Sequence, residues 1–179
     1  MFAIVLFILV VLLAPVNPVM AHVEKGYMPD SVAEMEFRIL LEFKPEDSNT
    51  RSLLGMALIR QNKLSEAENE FRLLLKTAPD NFDALDSLGL VLLKQKRLPE
   101  AIKYLKEALK LRPDDVMVHL HLGQSLSNTG QSESARTTLS NGIRLLNAAH
   151  LPISAKEKQL AEFQSAISLL PPPSIIHTK

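Results

Sequence analysis

The sequence predicts an all-α fold, a stack of antiparallel helix pairs, from three observations. Ala33, Ala67, Ala101 and Ala135 stand 34 residues apart, and Phe37, Phe71, Leu105 and Leu139 keep the same step. Leu54-Gly55, Leu88-Gly89 and Leu122-Gly123 repeat at that interval too. So do Pro45, Pro79 and Pro113, with Asn147 where a fourth proline would fall. Several residue types sharing one register across three or four periods define a tandem unit. A unit of this length is two helices that bury their apolar faces only by stacking on neighbours.

The segment before the repeats is of another kind. Phe2 to Leu13 is an unbroken apolar run, followed by Pro15, Asn17 and Pro18 and then by Val19-Met20-Ala21 ahead of the first charges. An apolar run closed by small residues reads as a secretory signal over 1–21, cut to leave His22 as the mature start. No Lys or Arg precedes the run, and residues 2–20 are all uncharged. A retained membrane anchor is therefore the competing reading, since about 20 apolar residues span a bilayer. Both readings place the rest of the chain outside the cytoplasm, either periplasmic or tethered to the membrane by its N-terminal segment.

Residues 22–47 form a half repeat, because 31–43 match only the second helix of a unit. That lone helix is expected to lie against residues 48–61. Full repeats follow at 48–81, 82–115 and 116–149. Gly55, Gly89 and Gly123 on the first helices should face Ala67, Ala101 and Ala135 on the second, where a larger side chain would push the axes apart. Leu58, Leu92 and Leu126, with Phe71, Leu105 and Leu139, then fill the seam at helical spacing.

Local signals punctuate these helices. Ser31-x-x-Glu34 and Ser65-x-x-Glu68 have the pattern of capping boxes, and Pro99 takes the same point in the next unit. Asn62, Lys96 and Gly130 fall where the first helices end, at a left-handed turn that glycine and asparagine tolerate better than lysine. Pro45, Pro79 and Pro113 close the second helices. Ser154-x-x-Glu157 opens a capping helix within 150–170 that carries Leu160, Phe163, Ile167 and Leu170 on one face. A Pro-rich tail, 171–179, ends the chain.

Composition narrows the function. The 179 residues are 46 % hydrophobic and 22 % charged, an ordinary balance for a chain that buries a core. Twenty basic residues offset twenty acidic ones and no basic tract occurs, so no field draws in nucleic acid. There is no cysteine, which removes a disulfide framework, a thiolate metal site, a thiol nucleophile and a lipoprotein anchor.

The remaining reactive residues have plainer roles. His119 and His121 are two apart on a helix and point in different directions, so the pair is a poor metal site. Gly123-Gln124-Ser125-Leu126-Ser127 starts like a nucleophile elbow but lacks the closing glycine and the preceding strand. Glu66, Glu68 and Glu70 alternate along a helix and read as a solvated face. No nucleotide, zincin or calcium-loop pattern occurs. Neither a catalytic residue, nor a cofactor, nor a metal ligand is expected.

The leucine-glycine pair, the alanine twelve residues on, the large apolar residue four beyond and the proline eight further resemble the tetratricopeptide (TPR) repeat. Arg51, Leu85 and His119 stand where that family has its early tryptophan, and Leu58, Leu92 and Leu126 where it has a tyrosine. Gly142 and Asn147 replace the usual alanine and proline of the third repeat. The resemblance implies a right-handed superhelical stack with a concave face lined by first helices. Carried over by register, it implies a partner-binding groove of Met56, Ile59, Arg60, Leu90, Leu93, Lys94, Met117, Leu120, Gln124 and Asn128.

The groove's centre, Met56, Ile59, Leu90, Leu93, Met117 and Leu120, is an apolar stripe suited to an amphipathic helix. Ser52 and Met56 stand where a chaperone-type groove would clamp a C-terminal carboxylate, so no clamp is expected. The expectation is a non-enzymatic adaptor of the cell envelope that binds an apolar or amphipathic helical segment of a partner protein. The alternative is a scaffold that self-associates through the N-terminal half repeat into a homo-oligomer.

Overall fold

The structure is a computed structural model that describes residues 29–172. The apolar run at 2–20, the boundary at His22 and the tail from 173 lie outside the described residues. Those that are described form eight helices and no strand. They divide into two compact units, one up to Lys63 and one from Leu64.

The first unit holds α1 (Asp30–Phe43) and α2 (Ser48–Arg60), which pack together. Ala33 and Phe37 of α1 and Leu54, Ala57 and Leu58 of α2 are buried. Phe37 leads the set of largest fully buried side chains. The capping box predicted at Ser31 and Glu34 does not form. Pro29 precedes the helix without a side-chain cap, which leaves Ser31 inside the first turn, and Glu34 turns to other partners.

The second unit runs α3 (Leu64–Thr77), α4 (Phe82–Lys94), α5 (Leu98–Leu111), α6 (Val116–Asn128), α7 (Ser132–Ala148) and α8 (Ile153–Ser168). Two helix pairs, α4 with α5 and α6 with α7, are joined by the packing of α5 on α6 and of α4 on α6. Helix α3 packs on α4, and α8 lies on both α7 and α6. Phe71, Leu92, Leu105, Leu126 and Leu139, five of the predicted seam residues, are buried here.

The first helices begin with a cap that nothing in the sequence reading identified. Asp47 accepts from the backbone N–H groups of Asn49 and Thr50, Asn81 from Ala84, and Asp115 from Val118. These residues recur at the 34-residue step, directly after the proline turns. Each occupies two of the orphan donors of a helix start or one of them, worth about 1 kcal/mol apiece. Thr50 adds a hydroxyl donation to Asp47, which is the largest of the bonds holding the Asp47 carboxyl below its ordinary range.

The same helices end as predicted, in left-handed residues. Asn62, Lys96 and Gly130 have φ of 60°, 63° and 77°. The next N–H closes each turn on a leucine carbonyl five residues back: Lys63 on Leu58, Arg97 on Leu92, Gln131 on Leu126. Pro99 sits in the first turn of α5. Helix α7 is 17 residues long against 14 for α3 and α5, because Asn147 does not stop it where the other prolines do.

The close approach of paired helices differs from the prediction in its partner. A β-carbon on Gly89 would lie 2.5 Å from Leu105 Cγ, and one on Gly123 would lie 2.5 Å from Leu139 Cγ. The glycines therefore accommodate the large residue one turn beyond the alanine. Ala101 and Ala135 are fully buried but are not the nearest neighbours of those glycines.

Candidate partner-binding surface

The predicted groove residues fall into three groups. Met56 on α2 is 46 % exposed and Arg60 is exposed, while Ile59 is half-buried. The Arg60 side chain reaches back to α1, where its Nε donates to Asp30 Oδ1 at 2.6 Å. On α4 Leu90 is half-buried and Lys94 exposed, and on α6 Gln124 is half-buried and Asn128 exposed. Each of these side chains is open to solvent at least in part.

Leu93 and Leu120 are closed to solvent, and Met117 is half-buried. Leu93 is 8 % exposed and belongs to the core of α4. Leu120 is 2 % exposed, in a cluster with Leu139, Leu146, Phe163 and Ala166, and Met117 packs against that cluster. Helix α8 and the residues just after it supply the cover: Leu160, Phe163 and Ile167 of the helix and Leu170 beyond its end join this cluster, as the sequence pattern predicts. Stacking positions of the last repeat are thereby removed from the groove. A chain-terminal helix that buries apolar surface otherwise left to water explains why.

Polar groups near the first helices are committed to structure. His121 Nδ1 lies 2.9 Å from Asp86 Oδ1, a link between α6 and α4. Ser125, fully buried, donates to the His121 carbonyl at 2.8 Å. His119 is buried with Nδ1 2.9 Å from the Asp115 carbonyl, in place of the aromatic ring of the repeat pattern. Among the described residues no group of three or more His, Asp or Glu side chains is arranged to hold a metal ion. None of their helices is long and apolar enough to cross a membrane.

The acidic series on α3 behaves differently from the solvated face predicted for it. Glu66 is exposed, but Glu68 is buried. It accepts from Arg72 Nε at 2.8 Å and from Arg97 Nη1 at 2.7 Å through both oxygens. Arg97 also forks onto Glu100 with two bonds of 2.7 Å, and Arg72 reaches Glu100 and the Tyr104 hydroxyl. Burial alone would push the Glu68 carboxyl up; the donations from Arg72 and Arg97 outweigh it and hold the group below the ordinary range.

The first unit repeats this arrangement at the same step. Glu34 accepts from Arg38, Gln61 and Lys63, and Lys63, at 2.6 Å, is the largest cause of its lowered pKa. One period further on, Ile102, Lys106 and Gln131 stand at these places, so the network stops there. A glutamate, an arginine four residues on and a cation in the turn before the next helix were a signal readable from the register.

Helix pairs locked by glycine–leucine seams, periodic caps and left-handed turns define a helical-repeat protein. Two models of the tetratricopeptide repeat match the sequence, over residues 52–116 and 92–147. The chain belongs to the tetratricopeptide-repeat family, a family of non-catalytic protein-interaction scaffolds. No curated protein matches the sequence. Among solved structures, it is similar to MamA AMB-1, with a TM-score of 0.63 and 27 % identity over 73 % of this chain and 76 % of that one. It is also similar to MamA 41-end from Desulfovibrio magneticus RS-1, with a TM-score of 0.67 and 20 % identity over 86 % and 87 % of the two chains, a likeness of fold.

Proposed function

We propose that the protein is a non-enzymatic adaptor of the cell envelope that holds an apolar or amphipathic helical segment of a partner protein against the open faces of its first helices. The observation that carries this reading is Leu90. Of the five leucines on α4, Leu85, Leu88, Leu92 and Leu93 are buried, and Leu90 is left half-exposed one turn before the exposed Lys94. An accessible leucine beside an ammonium suits a helix with an apolar face and an acidic edge. The non-catalytic reading is supported by the structural partners that account for Glu68, His121 and Ser125.

Export rests on the apolar run and the small residues at Val19 and Ala21. Fractionation of cells expressing the full chain tests it: recovery in the periplasm or in membranes is expected, and recovery in the cytoplasm overturns it. Photo-crosslinking from position 90 in living cells tests the site. A discrete adduct is expected, absent when the photoreactive group is moved to the buried position 93.

Self-association through α1 has one observation in its favour, an exposed apolar face on that helix. A symmetric pairing would bring the acidic edge at Glu42 and Glu46 against its own copy, which like-charge repulsion disfavours.

A further inference from the structure

The outward face of α1 is unlike the same face of every other second helix. Val32, Met35, Ile39 and Phe43 are 37 %, 57 %, 47 % and 60 % exposed. Their spacing of three and four residues puts them in one stripe along the whole helix. One period on, α3 carries Glu66, Asn69, Leu73 and Thr77, all exposed; α5 carries Glu100, Lys103, Glu107 and Leu111; α7 carries Ser134, Thr137, Asn141 and Leu145. Repeat packing does not call for a continuous apolar stripe at these positions, because each sister helix has three polar residues there and a single leucine. Four large apolar side chains on one exposed face lose hydration free energy unless something covers them.

Charge around the stripe selects what covers it. Helical geometry places Glu36 and Glu42 on either side of it, and exposed Glu46 lies beyond its C-terminal end. Residues 29–47 hold six acidic side chains against Arg38 and Lys44, and Arg38 is engaged by Glu34. Asp30 and Glu34 are paired with Arg60 and Lys63, and Asp47 caps α2, so the edge beside the stripe is made by Glu36, Glu42 and Glu46. Such an edge repels an anionic lipid surface and a symmetric second copy, and attracts a cationic partner.

We infer that the outward face of α1 is a docking surface, separate from the first-helix site, for an amphipathic partner helix whose apolar stripe is edged by lysine or arginine. The partner's stripe covers Met35, Ile39 and Phe43 while its cations meet the glutamate edges. Together with the proposed first-helix site it gives the protein two docking surfaces.

The test uses the full chain and three probes: a helical peptide with a leucine stripe edged by lysines, the same stripe edged by glutamates, and phosphatidylglycerol vesicles. The lysine-edged peptide is expected to bind about tenfold tighter or more than the glutamate-edged one, with the difference shrinking as salt rises. The variant Val32→Glu/Met35→Asn/Ile39→Glu/Phe43→Thr writes onto α1 residues its sister helices carry, and is expected to fold and to lose the peptide. Ile39→Glu alone is the second variant, checked by its melting curve. Equal affinity for both peptides, or binding retained by both variants, overturns the inference. So does vesicle binding that Ile39→Glu abolishes, or self-association in sedimentation that Ile39→Glu abolishes, since either names a different occupant.

Discussion

Phe163 of α8 fills the space that Gly142 of α7 leaves: a β-carbon at position 142 would stand 2.4 Å from the Phe163 ring and 3.0 Å from His119 Cβ. The departure from the repeat's usual alanine is thereby explained, since the capping helix needs the notch. Gly142→Ala is expected to destabilise the second unit by about 1–3 kcal/mol of overpacking, less up to about 1 kcal/mol of helix propensity gained. The damage should be local. Hydrogen exchange is expected to rise along α8 and at Leu120 while α4 and α5 keep their protection.

The Gly89–Leu105 contact decides between two views of the helix seam. If Leu105 is the residue that fills the space, Gly89→Ala costs about 1–3 kcal/mol. The double variant Gly89→Ala/Leu105→Ala then costs less than the sum of the two single changes, because the truncated leucine makes room for the new methyl. Urea unfolding of the four proteins measures that coupling. Strict additivity would return the close approach to Ala101, where the repeat pattern alone places it.

Lys96 pays for a conformation that its register partners accept more readily. Its φ of 63° is matched by 60° at Asn62 and 77° at Gly130. A left-handed lysine costs on the order of 1 kcal/mol relative to glycine. Lys96→Gly is expected to raise stability by about 0.5–1 kcal/mol, read as a higher urea midpoint at unchanged slope, and Gly130→Lys to lower it by a similar amount. The side chain of Lys96 is exposed, so no packing is lost.

The fold was legible wherever position in the register or on a helix decided the outcome: the glycines, the prolines, the left-handed ends and the α8 stripe all stand where spacing put them. What escaped depended on choices among equivalent polar groups. Ser31 and Ser154 carry capping-box patterns, yet Pro29 and Pro152 start those helices and leave the serines inside the first turn. The caps that do form, Asp47, Asn81 and Asp115, vary in type, so only their shared position identifies them. The groove was half legible. Family register separates inward from outward faces, but it cannot show that α8 lies on α6, and so Leu120 reads as open when it is covered and Met117 when it is partly buried.

Glu68 links α3 to the start of α5 through Arg97, and its folded-state pKa lies below the ordinary carboxylate value. A depressed carboxyl contributes stability that is fully present above its unfolded pKa and is lost as pH falls through the folded one. Stability from this group is therefore expected to be flat through neutral pH and to decline in acid, below the ordinary carboxylate range. Glu68→Gln removes the charge that Arg72 and Arg97 face and is expected to cost about 1–3 kcal/mol at pH 7. The gap between the two proteins should close as pH falls. Denaturant midpoints at a series of pH values check it, and a gap independent of pH would assign the loss to packing.

Leu90→Glu separates the site from the core. Leu90 is half-exposed on a helix whose remaining leucines are buried, so the change removes little packing and is expected to alter stability by less than about 1 kcal/mol. Leu93→Glu, at a residue 8 % exposed, buries a carboxylate without a partner and is expected to cost several kcal/mol or to prevent folding. Partner capture should vanish in both, but for different reasons that a melting curve distinguishes. Lys94→Glu supplies the third point: it leaves the apolar contact in place and reverses the charge beside it. If the partner helix carries an acidic edge, affinity is expected to fall by about tenfold at low salt and by less at high salt. An unchanged affinity for Lys94→Glu alongside a loss for Leu90→Glu would describe a partner recognised through its apolar face alone.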